Sequence, residues 1–421
     1  MTRRGWWGCL VLAALAVLVL YAHTVHFSFY WDDFDDLRPR TWRDLASAFH
    51  GHYQPWAREG IYFYRPLTSV YLATATWLFG LDATRLHLIP LVVLTAAATL
   101  AGLVARRITR DDRAGAITAL LFAVHPLTAT AIGPWIANQY QGLLVIAVAS
   151  ALLLWQRQAE RERGLTPALG LVIVAAAWLK EDGLALGPAL LAVHLARAHI
   201  TRDVPPPSRR MIGGVLGLAV ALVLWRAVWL PSQVGYGVPD AAAIVANLSR
   251  AWRYALVWHV SGASIGWSLS LLKAAVLLLA IVAVIRARTT AAARLIVTGL
   301  ALLCVMNLPL GLVSSESRWH VISLCVVLIT AGAVLSVPVT ATTRWLGAAL
   351  IAAAFAWGAR ERIDQFATCA AETRLHDPWA AALPELPPEL HAWIVARDAA
   401  CAAGATPVFT RPMTSMTWGA R

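Results

Sequence analysis

Long apolar segments, repeated along most of the chain, restrict more than any other feature how this sequence can fold. A helix needs about 20 mostly apolar residues to cross the hydrocarbon core of a bilayer, and eleven segments approach that length. They lie near residues 6–22, 87–105, 114–130, 139–156, 165–180, 183–198, 211–230, 267–285, 294–312, 319–339 and 344–359. Charged residues make up only 14% of the 421 residues, too few to cover a water-soluble globule of this size. The sequence therefore predicts an all-α polytopic membrane protein with about eleven transmembrane helices.

The net charge of +12 comes from one side of this arrangement. When the connections between apolar segments are assigned to alternate sides of a bilayer, one set holds 17 arginines and five acids, an excess equal to the charge of the whole chain. The positive-inside rule places this set in the cytoplasm. We therefore expect a cytoplasmic N-terminus, an external C-terminus, and the lipid bilayer rather than nucleic acid as a partner. Arginine far outnumbers lysine, which is typical of GC-rich bacteria, so the expected location is the bacterial plasma (inner) membrane.

Two polar regions interrupt the apolar pattern. Residues 23–86 form a long first external loop with seven acids, and its apolar stretch 67–81 predicts a helix lying at the membrane interface. Residues 360–421 form a small external C-terminal tail rich in alanine and proline. The predicted organisation is thus a transmembrane domain, 1–359, followed by this tail. Segment 6–22 follows basic residues and lacks a small-residue cleavage site, which predicts an uncleaved signal anchor.

The first candidate site is the acidic segment 30–36, directly after the first apolar segment. Next to lipid, desolvation and mutual repulsion are expected to raise the pKa of one carboxyl of the Asp32–Asp33 pair, which would suit it to accept a proton. The alternative is a solvated helix start, where acids interact with the positive end of the helix dipole.

Two further clusters combine charge with helix boundaries. Tyr64 and Arg65 precede a proline at the start of the interfacial helix, and arginine binds phosphate through planar, paired donors. The alternative for Arg65 is an interfacial side chain that extends to the headgroups. Lys180 and Glu181 lie between two apolar segments, and ionisable residues at membrane depth are candidates for function. The alternative for them is a Lys–Glu pair that only closes a hairpin.

The remaining candidates lie on later external connections. Glu316 and Arg318 precede the tenth apolar segment, where a second arginine on the same face would suit an anionic headgroup. His125 precedes a proline on another external connection, and a single histidine in such a position is more often an interfacial residue with satisfied hydrogen bonds than a catalyst.

The sequence lacks the motifs of several other enzyme classes. It has no glycine-rich phosphate-binding loop, no Gly-x-Ser-x-Gly nucleophile motif and no Cys/His spacing typical of a metal site. None of these motifs therefore indicates a metal or another cofactor. Because a nucleotide-binding motif is missing, a lipid-linked donor is favoured over a nucleotide sugar or ATP.

Together, the clusters resemble those of the GT-C membrane glycosyltransferases, and especially bacterial relatives of the transmembrane, tetratricopeptide-containing O-mannosyltransferases. The resemblance covers about residues 8–340 and consists of short motifs in matching order. These are Trp31-Asp32-Asp33, Tyr64-Arg65-Pro66-Leu67, Trp77-Leu78-Phe79-Gly80-Leu81-Asp82, His125-Pro126-Leu127, Trp135-Ile136-Ala137, Lys180-Glu181 and Glu316-x-Arg318. The chain departs from the family pattern at Thr130, where an acid is usual, and at Asn138-Gln139, where an arginine is usual. The tetratricopeptide tail is also absent from this sequence.

The resemblance implies a GT-C-like fold and transfer of a sugar from a polyprenyl-phosphate-linked donor to an external glycan, lipid or protein, with inversion and without a metal. It implies that Asp32 is the general base and that Asp33 orients the acceptor. Donor and acceptor contacts are then expected from a further set of residues. This set comprises Tyr64, Arg65, His125, Lys180, Glu181, Glu316 and Arg318. The competing hypothesis is a polytopic transporter or lipid flippase of the cell envelope, although the sequence shows no inverted repeat of the kind common in transporters.

Overall fold

The protein folds as an α-helical bundle, seen here in a computed structural model. It describes residues 3–27, 37, 40–51, 64–80, 82–132, 136–159, 164–229, 241–242, 244–246, 276, 278–286, 289–308, 320–337 and 340–372. Within these ranges the chain is helical or forms turns and connections, with no strand. The all-α class predicted from the apolar segments is therefore confirmed.

Fourteen α-helices are numbered here in chain order. They are α1 (Arg3–Tyr21), α2 (Trp42–Ala48), α3 (Pro66–Phe79), α4 (Ala83–Leu86), α5 (Leu88–Thr109), α6 (Asp112–Ala123), α7 (Pro126–Ala131), α8 (Gln139–Ala159), α9 (Pro167–Leu179), α10 (Leu186–Ala196), α11 (Arg209–Trp229), α12 (Ala291–Met306), α13 (His320–Ser336) and α14 (Ala341–Glu372). A 3₁₀ turn, Glu181–Ala185, precedes α10, and a π-helical turn, Arg197–Thr201, follows it. A further 3₁₀ turn, Ala22–His26, follows α1.

Five helical segments in the described ranges are long and apolar enough to cross a bilayer. They are Trp6–His26, Thr84–Thr109, Gln139–Ala159, Glu181–Thr201 and Arg209–Val228. Three shorter apolar helices, α9, α12 and most of α13, coincide with other predicted segments. The protein is thus an all-α membrane protein, while the total of eleven spans stays a prediction because much of the segment near 267–285 lies outside the described residues.

Close approach between small residues holds the bundle together at two helix crossings. A Cβ atom on Gly102 of α5 would lie 2.7 Å from the carbonyl oxygen of Gly115 on α6 and 3.2 Å from the sulfur of Cys9 on α1. At the crossing of α12 and α13, a Cβ atom on Gly299 would lie 2.7 Å from the Cys325 carbonyl oxygen. Lipid supplies little hydrophobic drive for helix association, so contacts of this kind carry much of the packing.

Two boundaries differ from those expected. The segment 114–130 is not one helix, because α6 ends at Ala123 and α7 begins at Pro126. A residue before proline is driven from helical towards extended backbone, and His125 has φ −71° and ψ 133°. At the other end of the chain, α14 continues to Glu372, beyond the predicted apolar segment 344–359, because residues 360–372 contain no glycine or proline that would end a helix.

Topology can be tested with reporter fusions. We expect fusions after Arg110 and Arg209 to report the cytoplasm, and fusions near Gly51 or at the C-terminus to report the outside, because the +12 excess lies on one set of connections. The measurement is paired reporter activity, with one enzyme active only in the cytoplasm and the other only outside. A cytoplasmic C-terminus would change the number of spans by an odd number.

Candidate functional site

Arg65 is positioned by the start of α3. Pro66 is the first helical residue, a position where its fixed φ is favourable, and Arg65 before it has non-helical backbone with φ −140° and ψ 62°. Arg65 is only 8% exposed. The hydroxyl of Thr68 donates to the carbonyl oxygen of Leu179 at 2.8 Å, which fixes the start of α3 against the end of α9.

Lys180 and Glu181 lie where α9 changes into the 3₁₀ turn before α10. Gly183 makes this turn possible, because a side chain at that position would overlap the carbonyl group of Ala176 and lie 2.7 Å from the nitrogen of Ala177. The backbone of the turn therefore lies directly against α9. This packing places the side chains of Lys180 and Glu181 inside the bundle, at the end of α9 that meets α3.

Glu181 lies between two arginines. The Nε atom of Arg65 donates to both carboxylate oxygens at 3.0 and 3.1 Å, and its Nη2 atom donates to Oε2 at 2.7 Å. Arg226, near the end of α11, donates from Nη2 to Oε1 at 3.1 Å. The side chains of Glu181 and Arg226 are each 14% exposed. A paired fork of this kind is among the stronger polar contacts in proteins, and it joins segments far apart in sequence.

Lys180 has a different carboxylate partner. Its Nζ atom lies 2.8 Å from Oδ2 of Asp182 and also donates to Oε1 of Gln141 at 3.5 Å. The Lys–Glu hairpin pair considered from sequence is therefore replaced by two separate arrangements, Lys180 with Asp182 and Glu181 with the arginines. We refer to Arg65, Lys180, Glu181, Asp182 and Arg226 as the ionic cluster.

Aromatic side chains surround the ionic cluster. The guanidinium of Arg65 lies 5.2 Å from the ring centroid of Tyr140, within the range of a cation–π contact. The hydroxyl of Tyr64 accepts from the indole of Trp225 at 2.7 Å and donates to the carbonyl oxygen of Phe49 at 3.1 Å. Burial raises the pKa of Tyr64, and this outweighs the lowering by the Trp225 hydrogen bond and the charge of Arg226. Tyr64 therefore stays a neutral phenol at neutral pH.

The five side chains of the cluster carry a net positive charge. Three cations and two carboxylates give the cluster a formal charge of +1. The Nη1 atom of Arg226 is buried and has no hydrogen-bond partner among the described residues. A buried donor without a partner is costly, so an incoming oxygen ligand at this atom would be stabilised. Chemically, the arrangement can hold one phosphate-like group and neutralise its charge.

The other predicted site residues fall into two groups. His125 is fully buried, its Nδ1 atom accepts from the Leu127 backbone N–H at 3.2 Å, and its ring packs edge to face against Phe355 with centroids 4.8 Å apart. These contacts give it a role in capping α7, and a substrate contact by His125 stays a prediction. Four predicted site residues lie outside the described residues. These are Asp32, Asp33, Glu316 and Arg318.

Sequence reasoning did not select Arg226 as a member of the site. The sequence nevertheless indicates this residue, because Arg226 is a single arginine within the apolar run near 211–230. It lies at the end of the run opposite the basic residues Arg209 and Arg210. An ionisable residue within such a run is a functional candidate. Asp182 directly follows Lys180 and Glu181 in the sequence, but only the structure assigns it as the partner of that lysine.

The described residues contain no group of three or more histidine, cysteine, aspartate or glutamate side chains that could hold a metal ion. The ionic cluster instead offers cationic donors at one end of the bundle, where α3, α9 and α11 meet. Comparison with known proteins adds no assignment, since no family model, no curated protein and no solved structure matches this chain.

Proposed function

We propose that this chain is a membrane glycosyltransferase with a GT-C-like fold of about eleven transmembrane helices. It transfers a sugar from a polyprenyl-phosphate-linked donor to an external glycan, lipid or protein. The observation that carries the proposal is the ionic cluster, in which Arg65 and Arg226 converge on one partly buried carboxylate beside Lys180. The order of motifs in the sequence, which resembles that of GT-C enzymes, supports the proposed fold and reaction.

The charge of the cluster fits such a donor. A glycosyl phosphodiester carries one negative charge, and the five members of the cluster together carry +1. As the glycosidic bond breaks, the phosphate gains charge, and donors already in place stabilise that charge without reorganisation. Arg226, whose buried Nη1 atom has no hydrogen-bond partner among the described residues, is suited to this role. Arg65 holds the carboxylate of Glu181 beside it through its planar fork.

In this proposal Asp32 removes the proton from the acceptor hydroxyl, while Asp33 orients the acceptor. The acceptor oxygen attacks the anomeric carbon, the bond from that carbon to the phosphate oxygen breaks, and the lipid phosphate leaves. A single displacement needs no enzyme nucleophile and inverts the anomeric centre. The ionic cluster and the residues at positions 316 and 318 would contact the donor.

The enzymatic proposal is tested by sugar transfer. Membranes from a deletion strain, as the acceptor source, are mixed with the purified protein and labelled polyprenyl-phosphate hexoses, and label transferred to glycans, lipids and proteins is identified by mass spectrometry. Transfer that depends on the protein supports the proposal. Movement of intact labelled lipid across vesicles without any transfer would instead indicate the competing transporter or flippase.

Arg65 provides a test of the phosphate contact. Arg65→Lys keeps the charge but loses the planar fork, so we expect kcat/KM for the donor to fall about tenfold, equivalent to the loss of one charge-assisted hydrogen bond. Arg65→Ala should cost more, because Glu181 then keeps only Arg226. The measurement is initial transfer rate against donor concentration, normalised to protein amount.

Arg85→Lys is the matched control for this test, because Arg85 also belongs to the first external loop and its side chain is 67% exposed. It should retain wild-type kinetics. If both Arg65 variants transfer sugar at the wild-type rate, Arg65 does not contact the donor and is instead an interfacial side chain that extends to the headgroups.

A further inference from the structure

A second polar site lies at the opposite end of the bundle from the ionic cluster. There, the ends of α5, α8 and α10 and the first turn of α12 enclose a pocket of about 80 Å³. Its charged lining comes from three separate connections. The arginines are Arg107, Arg110, Arg197 and Arg294, and the one carboxylate is Asp203. We refer to this site as the basic pocket.

Asp203 organises one wall of the basic pocket. Its carboxylate forms an ion pair with Arg197, lies 3.5 Å from the Nε atom of Arg294, and accepts from the hydroxyl of Thr201 at 2.6 Å. Burial alone would raise the pKa of Asp203, but the hydrogen bonds of Arg197 and Thr201 and the charges of both arginines lower it. Asp203 therefore stays ionised at neutral pH and holds Arg197 and Arg294 in place.

His194 in the same lining adds no charge. The indole N–H of Trp155, which can only donate, gives its hydrogen to Nδ1 of His194 at 3.0 Å. The single ring proton must then be on Nε2, which donates to the carbonyl oxygen of Pro205 at 2.7 Å. Both ring nitrogens are thereby used by a neutral imidazole. The described lining residues consequently carry four cations and one carboxylate, a formal charge of +3.

An excess of positive charge among the described lining residues favours an anionic ligand. The volume of about 80 Å³ is well below the ~300–1,000 Å³ of pockets that hold drug-sized ligands, so a small anionic group fits and a nucleotide base does not. Basic pockets between transmembrane helices are suited to phosphorylated lipid headgroups. Arg110 is exposed at the rim, where it can guide such a group from the membrane surface.

We propose that the basic pocket binds a phosphate group, carried either by an anionic phospholipid headgroup or by free inorganic phosphate. Arg110, Arg197 and Arg294 contact the phosphate oxygens, and Asp203 fixes the last two of these arginines before binding. The site differs in position and in ligand contacts from the ionic cluster, so it does not depend on the proposed glycosyltransferase activity.

The test measures binding to the purified full chain in nanodiscs. The probes are phosphatidylglycerol, phosphatidylcholine as the uncharged-headgroup control, and inorganic phosphate, with binding followed by native mass spectrometry and by the shift in melting temperature. Arg110→Gln and Arg294→Gln should each weaken phosphate-group binding about tenfold. Arg113→Gln is the matched control, since Arg113 is an exposed arginine at the same end of the bundle that does not line the pocket.

The outcomes separate the two sources. A lipid headgroup is identified if the protein prefers phosphatidylglycerol to phosphatidylcholine, and if both pocket variants weaken this binding while the control variant does not. Free phosphate is identified if both pocket variants weaken the binding of inorganic phosphate, the control variant does not, and the protein shows no preference between the two lipids. If the variants bind every probe as tightly as wild type does, the proposal is overturned. Because Arg110 is exposed, Arg110→Gln is expected to fold. A change in its binding can therefore be attributed to the pocket rather than to misfolding.

Discussion

Replacement of Asp32 by asparagine is expected to lower sugar transfer by about 10²–10⁴-fold, the range typical of a lost general base. The two side chains are nearly the same size, so insertion and abundance should not change. Asp33→Asn should reduce transfer less, because asparagine still forms hydrogen bonds to the acceptor. Asp35→Asn and Asp36→Asn should remain close to wild type. Each rate is measured with a polyprenyl-phosphate donor and normalised to the amount of protein in the membrane.

The gradient among the four acids is the informative result. A catalytic pair predicts a large loss at the first position, a smaller loss at the second and almost none at the others. A generic acidic patch, as on a transporter, predicts that all four variants behave alike. Wild-type transfer by a well-expressed Asp32→Asn variant would contradict the assignment of the base.

Gly183→Ala is expected to have the second large effect, on stability and activity together. The added methyl group would overlap the carbonyl of Ala176 and lie 2.7 Å from the nitrogen of Ala177, so the 3₁₀ turn and α9 must separate. Overpacking against side chains typically costs about 1–3 kcal/mol, and backbone yields less readily, so we expect a loss of about 3 kcal/mol. Thermal unfolding in detergent and the rate of sugar transfer measure the two consequences.

Gly170→Ala is the matched control, because Gly170 lies on α9 itself and a Cβ atom there would meet no atom within 4 Å. Alanine favours helix by up to about 1 kcal/mol over glycine, so this variant should be as stable as wild type or slightly more stable. A Gly183→Ala protein with wild-type melting temperature and transfer would show that the turn does not need glycine.

Much of the helical framework could be predicted from sequence because its causes are local. Apolar segments near 87–105, 139–156 and 211–230 correspond closely to α5, α8 and α11. The proline after Arg65 likewise predicts the start of α3, which begins at Pro66. The break between α6 and α7 was also encoded locally, by the proline after His125, but the continuous apolar character of that segment obscured it.

The partners within the ionic cluster could not be predicted in the same way. The sequence selected Arg65 and Glu181 separately, yet the ion pair between them depends on how α3 packs against α9. Arg226 is even less accessible to sequence reasoning, because its contact with Glu181 requires the depth and rotation of α11 to be known. Lys180 illustrates the same limit, since of two neighbouring carboxylates it pairs with Asp182.

The contacts at the two ends of α11 have a mechanical consequence. Only 17% of its span is buried within the described bundle, so the contacts at its two ends contribute strongly to holding the helix in position along its own axis. At one end, three consecutive prolines begin at Pro205, whose carbonyl oxygen is held by His194, and their fixed φ angles make the connection stiff. Arg226 lies about 25 Å along the helix axis from the first residue of α11, Arg209, at a rise of 1.5 Å per residue. The position of this arginine along the helix axis is therefore set in part by a contact at the opposite end of α11, so a change near Pro205 would shift Arg226 relative to Glu181.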